Sequence, residues 1–146
     1  MNIHKLKKSK KSTITAYKVM EQIDANTVAS ALAKDSTTNQ PFTFTIGQRY
    51  QSNQAGNLNP VKDEAEGFRA YRTLSWARFM RDHIMLSRRD RHGNSHPRRF
   101  VVVKVQLHSV RQEGYELKPQ ADIPTKTALR SRLYVASECE FLEIKD

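Results

Sequence analysis

The 146 residues are 38% hydrophobic and 27% charged, with a single cysteine and a formal net charge of +10. That length suits one domain with a modest core, because domains cluster at about 100–150 residues. No run reaches the ~18 apolar residues of a bilayer span, no apolar segment follows the basic start, and a lone Cys139 rules out an intrachain disulfide framework. The composition therefore leads to the expectation of a cytoplasmic protein with no membrane partner.

Residues 1–12 carry Lys5, Lys7, Lys8, Lys10 and Lys11 with little apolar content and no acid. Their mutual repulsion predicts a mobile basic arm ahead of one domain over 13–146. The stretch from Thr13 to Met20 is β-branched and aromatic and predicts a first strand. Asp24 then stands as a cap, with Ala25, Val28, Ala29 and Leu32 on one face at helical spacing, so a short helix is expected through Lys34. After a loop over 35–41, Phe42, Phe44 and Ile46 alternate with Thr43 and Thr45, the pattern of a half-buried strand. Gly47 ends it, and Arg49 and Tyr50 resume an extended segment. Residues 51–62 are polar, with Gly56 and Pro60, and read as exposed loop.

The clearest helix follows Thr73, a candidate N-cap. Leu74, Ala77, Met80 and Ile84 recur at three- and four-residue spacing, with Arg78, Arg81 and Asp82 off that stripe. A basic loop is expected over 87–99, where Gly93, Asn94 and Pro97 oppose helix. The segment from Phe100 to Leu107 is the strongest strand, with Val101, Val103, Val105 and Leu107 on one face and Phe100 and Val102 partly covering the other. A polar connection leads to a last strand over 133–144. Its apolar face switches between Ser137 and Glu140, which predicts a bulge. The expected fold is α+β: a single small domain with a mixed, mainly antiparallel sheet, two helices and a disordered basic N-terminal arm.

Two blocks hold all the excess charge. Residues 1–18 carry six lysines and no acid, residues 78–99 carry seven arginines against Asp82 and Asp90, and the rest of the chain sums to −1. A lysine arm gains affinity for phosphate by releasing counterions and needs no fixed geometry. Guanidinium groups add bidentate contacts to phosphate or carboxylate. The expected anion-binding set is therefore Lys5, Lys7, Lys8, Lys10 and Lys11 with Arg88, Arg89, Arg91, Arg98 and Arg99. Its partner would be nucleic acid or an acidic protein surface, and the plainer alternative is a solvated tail and loop that aid solubility.

Other chemistries find less material. His92 and His96 are four apart, but Gly93, Asn94, Ser95 and Pro97 oppose the helix that would align them, and the flanking arginines repel a dication, so no metal is expected. Cys139 lies between Glu138 and Glu140, which raise a thiol pKa instead of activating it. There is no phosphate-cradling glycine loop, no dinucleotide fingerprint and no nucleophile elbow. Phe42, Phe44, Phe68, Phe79, Phe100 and Trp76 sit in segments of apolar periodicity and most of them read as core, and the ribonucleoprotein signature is absent.

Taken in order, Ala16-Tyr17-Lys18-Val19, Ile46-Gly47-Gln48-Arg49-Tyr50, Glu66-Gly67-Phe68-Arg69-Ala70-Tyr71 and Leu74-Ser75-Trp76-Ala77 resemble a class of small domains encoded in phage and prophage genomes. Those domains carry Tyr-Lys on a first strand, a Gly-x-x-Tyr turn, Gly-Phe-x-Ala before a helix, and then a valine-rich strand, here 100–107. The resemblance spans roughly residues 14–107 and implies a phage or mobile-element origin without an activity. More distantly, Ser137-Glu138-Cys139-Glu140-Phe141-Leu142 is similar to the Glu-x-Glu segment of arginine-directed ADP-ribosyltransferases. That likeness implies NAD as cosubstrate, Glu140 on the nicotinamide ribose and Glu138 orienting the acceptor. It departs from the family at Lys18, where an NAD-holding arginine belongs, and at Thr43 or Thr45, where a serine belongs.

The leading expectation is a phage-type accessory protein that binds an anionic partner without a cofactor. One alternative is an ADP-ribosyltransferase-like enzyme using Glu138 and Glu140. The other is an inhibitor of a host defence or regulatory protein, docked through the basic loop.

Overall fold

The computed structural model describes residues 4–34, 39–51, 67–92, 99–117 and 130–145. Among them run β1 (His4–Lys8), β2 (Thr13–Gln22), β3 (Thr27–Lys34), β4 (Pro41–Thr45), β5 (Arg49–Gln51), β6 (Phe68–Tyr71), α1 (Leu74–His92), β7 (Phe100–Leu117) and β8 (Arg130–Ile144). Every strand pairing is antiparallel.

The long strand β7 is the spine. Along one edge it takes β2, from Thr13 opposite His108 to Glu21 opposite Phe100, and then β1, opposite residues 112–115. Along the other edge it takes the whole of β8. On the far side β6 bridges the two flanks, pairing Tyr71 with Tyr17 of β2 and residues 68–71 with β8. The meander β3–β4 leaves the rest of the β2 edge, and β5 lies on β8 opposite residues 138–140. Gly47 N–H donates to the Phe141 carbonyl at 2.7 Å, and Phe141 N–H donates to the Gln48 carbonyl at 3.0 Å. The turn after β4 is thereby tied to β8, and the sheet curls around one interior.

That interior is filled by alternate residues. Ala16 and Met20 of β2, Val103, Val105 and Leu107 of β7, and Cys139 and Phe141 of β8 are all buried there. Phe44 stacks on Phe141 with ring centroids 4.6 Å apart, and Tyr50 and Phe68 meet Phe44 edge-on, the geometries that aromatic quadrupoles favour. The opposite face carries α1. Ala77, Met80, Leu74, Trp76 and Phe79 pack on Tyr17, Val19, Tyr71, Val102, Leu133 and Val135. Covering the sheet on both sides explains the uninterrupted run Phe100-Val101-Val102-Val103.

Residues 24–34 do not form the expected helix. The Asp24 carboxylate accepts the Asn26 N–H at 2.9 Å, and Ile23 N–H donates to the Thr27 carbonyl at 3.0 Å, which turns the chain into the β2–β3 hairpin. The same hydrogen bond from Asn26, with Thr27 adding to it, holds the Asp24 carboxyl below its ordinary pKa. Val28 and Ala29 are both buried although adjacent, so β3 is covered on both faces, and pairing with β2 and β4 overrides local helix propensity. The domain is thus a mostly antiparallel sheet with one described helix, not two.

Two further expectations change. His4–Lys8 is not a free arm but the edge strand β1, because β7 outruns β2 and offers it unpaired backbone. The apolar face does switch between Ala136 and Cys139, yet pairing passes from Val110–Ala136 to His108–Glu138 and Leu107–Cys139 without a shift. Both strands rotate together there, with Ser109 at φ 54°, and the register shifts fall instead at 104/105 and 110/112. The Thr73 cap is as expected: Trp76 N–H donates to Thr73 Oγ1 at 3.4 Å.

Candidate nucleic-acid interface

The lysine block is held by backbone. Lys7 and Lys8 lie opposite Glu113 and Gln112 of β7. Past the strand end, Ser9 N–H donates to the Arg111 carbonyl at 2.9 Å, and Val110 N–H donates to the Ser12 carbonyl at 3.0 Å. Lys11 N–H closes the turn on Ser9 Oγ at 3.1 Å. Lys7, Lys8, Lys10 and Lys11 are exposed along this corner, whereas the guanidinium of Arg111, whose carbonyl holds Ser9, lies beside Gly67. None of the four lysines enters an ion pair among the described residues. Glu113, the one acid opposite them, is mostly buried and lies 3.9 Å from Arg132. Lys5 belongs to β1, and its side chain is outside the described residues.

The arginine block is not one loop. Arg88, Arg89 and Arg91 fall within α1, which continues to His92. The correction has a physical reason: the helix-opposing residues begin only at Gly93, and cations in the last turns complement the negative end of the helix dipole. Arg98, with His96, lies outside the described residues. Arg99 is exposed, and its carbonyl accepts Gln22 N–H at 2.8 Å. The structure does not merge the two blocks. The lysine corner abuts Thr13–His108 and Arg99 abuts Glu21–Phe100, the two ends of the β2–β7 ladder. Lys7 and Lys8, opposite Glu113 and Gln112, lie 12 to 13 positions along β7 from Phe100, on the order of 40 Å measured along the strand.

Glu138 and Glu140 project from the outer face of β8, flanking buried Cys139. Glu138 is held by Arg49, whose Nε donates to it at 2.7 Å, and by Gln51 at 3.3 Å. Glu140 meets His108 Nε2 at 3.2 Å. With Thr15 Oγ1 donating to Gln106 Oε1 at 3.1 Å, these pairs form a polar sheet face across β2, β7, β8 and β5. Such cross-strand pairs each stabilise a sheet by about 0.2–1 kcal/mol. Thr43 and Thr45 are exposed on β4.

Lys18 lies on the other side of the sheet. It shares the inward face with Ala16 and Met20, and its Nζ donates to the Arg69 carbonyl at 2.5 Å. Burial lowers its pKa, the Cys139 thiol counteracts that, and Arg69 adds to it. Burial likewise pushes the Cys139 thiol up to about 12, although Lys18 pulls it down. Lys18 and the two carboxylates, the parts that the transferase likeness would unite around NAD, therefore stand on opposite sides of one sheet.

Arg49, His108 and Arg111 were absent from the expected set. The signal for the last two is the strand pattern of 100–107, which continues through Val110 to Tyr115 and places both on β7. Among the described residues no group of three metal-ligating side chains comes together, and no helix is long and apolar enough to cross a membrane. Comparison with family models, with characterised proteins and with solved structures gives no match for this chain.

Proposed function

We propose that this chain binds nucleic acid through the phosphate backbone, with Lys7, Lys8, Lys10 and Lys11 as the principal contact and Arg99 and the arginine-bearing turns of α1 as a second. One observation carries this reading: four exposed lysines stand together on backbone held by the β7 edge, without a carboxylate partner among the described residues. Three cations elsewhere serve the fold. Arg49 holds Glu138, Arg132 donates to the Tyr115 hydroxyl at 3.1 Å, and Lys18 caps a carbonyl. Exposed lysines that the fold leaves without a carboxylate partner among the described residues suit a polyanion, whose released counterions drive binding.

The test is a binding titration with duplex DNA and single-stranded RNA at two salt concentrations, on the wild type and on the variant with Lys7, Lys8, Lys10 and Lys11 all changed to Ala. Wild-type binding that falls steeply with salt, and that the variant loses, supports the proposal. Binding that ignores salt contradicts it. A pull-down that yields the same protein partner after nuclease digestion moves the function to an acidic protein surface.

A further inference from the structure

We infer that Ser12 is a phosphorylation site, the acceptor of a serine kinase that reads basic substrates, and that its phosphate turns the lysine corner off. The inference rests on the nucleic-acid reading above and adds to it a modification site and the regulation of that same surface.

Position singles out the acceptor. Three hydroxyls lie among the lysines, those of Ser9, Ser12 and Thr13. Ser9 is half-buried, and its Oγ is committed as the acceptor of the Lys11 N–H at 3.1 Å. Thr13 begins β2 and is paired with His108 in the ladder. Ser12 is exposed, and the corner holds it by its main-chain carbonyl, which accepts the Val110 N–H at 3.0 Å. Its side chain is open to chemistry without loss of the bond that seats it.

The surroundings supply the recognition. Lys7, Lys8, Lys10 and Lys11 all precede Ser12, and no acid occurs before Glu21. Kinases select substrates by charge pattern, and carboxylates in the cleft of such an enzyme pair with cations on the N-terminal side of the acceptor. The corner follows β1 at the rim of the sheet, where local opening costs least, so this stretch can extend into a cleft while β7 and β8 stay folded. In the transfer, Ser12 Oγ attacks the γ-phosphorus of ATP and the bond to the β-phosphate oxygen breaks. ADP leaves, and the hydroxyl proton passes to the catalytic base of the kinase.

The product reverses the local charge. Phosphoserine carries about −1.5 to −2 charges and three acceptor oxygens, enough to offset roughly two of the four lysines. Bonded one residue from Lys11 and two from Lys10, it is a tethered rival of the nucleic-acid phosphates, at an effective concentration of about millimolar.

The experiment treats the full chain with ATP and a serine kinase that prefers basic substrates, beside one that prefers acidic substrates. Mass spectrometry maps the phosphate, and duplex DNA is titrated before and after treatment at two salt concentrations. The expected result is one phosphate, on Ser12, from the first kinase alone, and none on Ser12→Ala. The modified chain should bind about thirtyfold more weakly near 0.1 M salt, with a slope of log affinity against log salt shallower by about 1.5. Unmodified Ser12→Ala should bind as the wild type does. A phosphate on Ser9 or Thr13, no uptake, or a modified chain that binds as tightly as the unmodified one overturns the inference and leaves the nucleic-acid reading standing. Uptake at Ser12 by a chain that binds no nucleic acid in either form supports the acceptor site and removes the nucleic-acid reading.

Discussion

Lys18 and Lys8 are the same residue type on neighbouring parts of one sheet, and they do opposite work. Lys18 points into the interior, donates to the Arg69 carbonyl and has its pKa lowered by desolvation. Lys8 lies on the β1 edge, exposed and without a carboxylate partner among the described residues. The contrast teaches that a net charge of +10 is not a uniform property of the surface. Some cations are committed to hydrogen bonds and ion pairs inside the architecture, and a compact remainder stays available to an outside anion.

The largest expected effect breaks the inner member. Lys18→Glu places a carboxylate against the Arg69 carbonyl and beside the Cys139 thiol, and urea denaturation should show a loss of about 3–5 kcal/mol, as for an uncompensated buried charge. Changing all four rim lysines to Ala should shift the same midpoint by less than about 0.5 kcal/mol per site. A comparable loss at the rim would mean that β1 is held by its side chains and not by its backbone.

The pH dependence sharpens the comparison. The Cys139 thiol, raised from 9.0 to about 12, keeps its proton in the folded protein where the unfolded chain has released it. Its contribution to stability is intact below pH 9 and falls between pH 9 and 12, by a few kcal/mol over that window. Lys18 has the opposite sign: with its folded pKa lowered from 10.5, its contribution rises with pH from that lowered value until 10.5. Denaturation across the alkaline range should therefore show Cys139→Ala losing part of the decline and Lys18→Met losing the rise. A thiol reagent near pH 8 should label the native protein slowly and the denatured chain at once. Fast native labelling would put Cys139 outside the interior.

Smaller effects fall on the outer face. Arg49→Ala removes the partner of Glu138, but half of the Arg49 side chain is exposed, so the expected loss is under about 1 kcal/mol and should shrink further with salt. Duplex affinity should stay within about twofold, because this arginine is already paired. A large loss of binding would extend the interface across β5 and β8.

The strands whose faces differ were legible in the sequence. Alternation in 42–46 and 100–107 and the cap at Thr73 translate directly into β4, β7 and the start of α1. Residues 24–34 were not, because Ala25, Val28, Ala29 and Leu32 satisfy a helical period, while the adjacent Val28 and Ala29 equally suit a strand buried on both faces. Only pairing with β2 and β4, distant information, decides between them. The same limit explains the site. Composition located the lysine block, but its conversion from arm to edge depends on β7 running past the end of β2. The outward Glu138 and Glu140 and the inward Lys18 follow from strand parity, once the rotation at Ser109 is known.

The most direct test of the central claim is the salt dependence of duplex affinity, measured side by side on the wild type and on the variant with Lys7, Lys8, Lys10 and Lys11 changed to Ala. Each phosphate contact contributes about 0.9 to the slope of log affinity against log salt, so the variant's slope should be shallower by about 3–4, with affinity down about a thousandfold near 0.1 M salt. Equal slopes in the two proteins would contradict the account, and the ordered lysine edge would then be a solvated rim of the sheet.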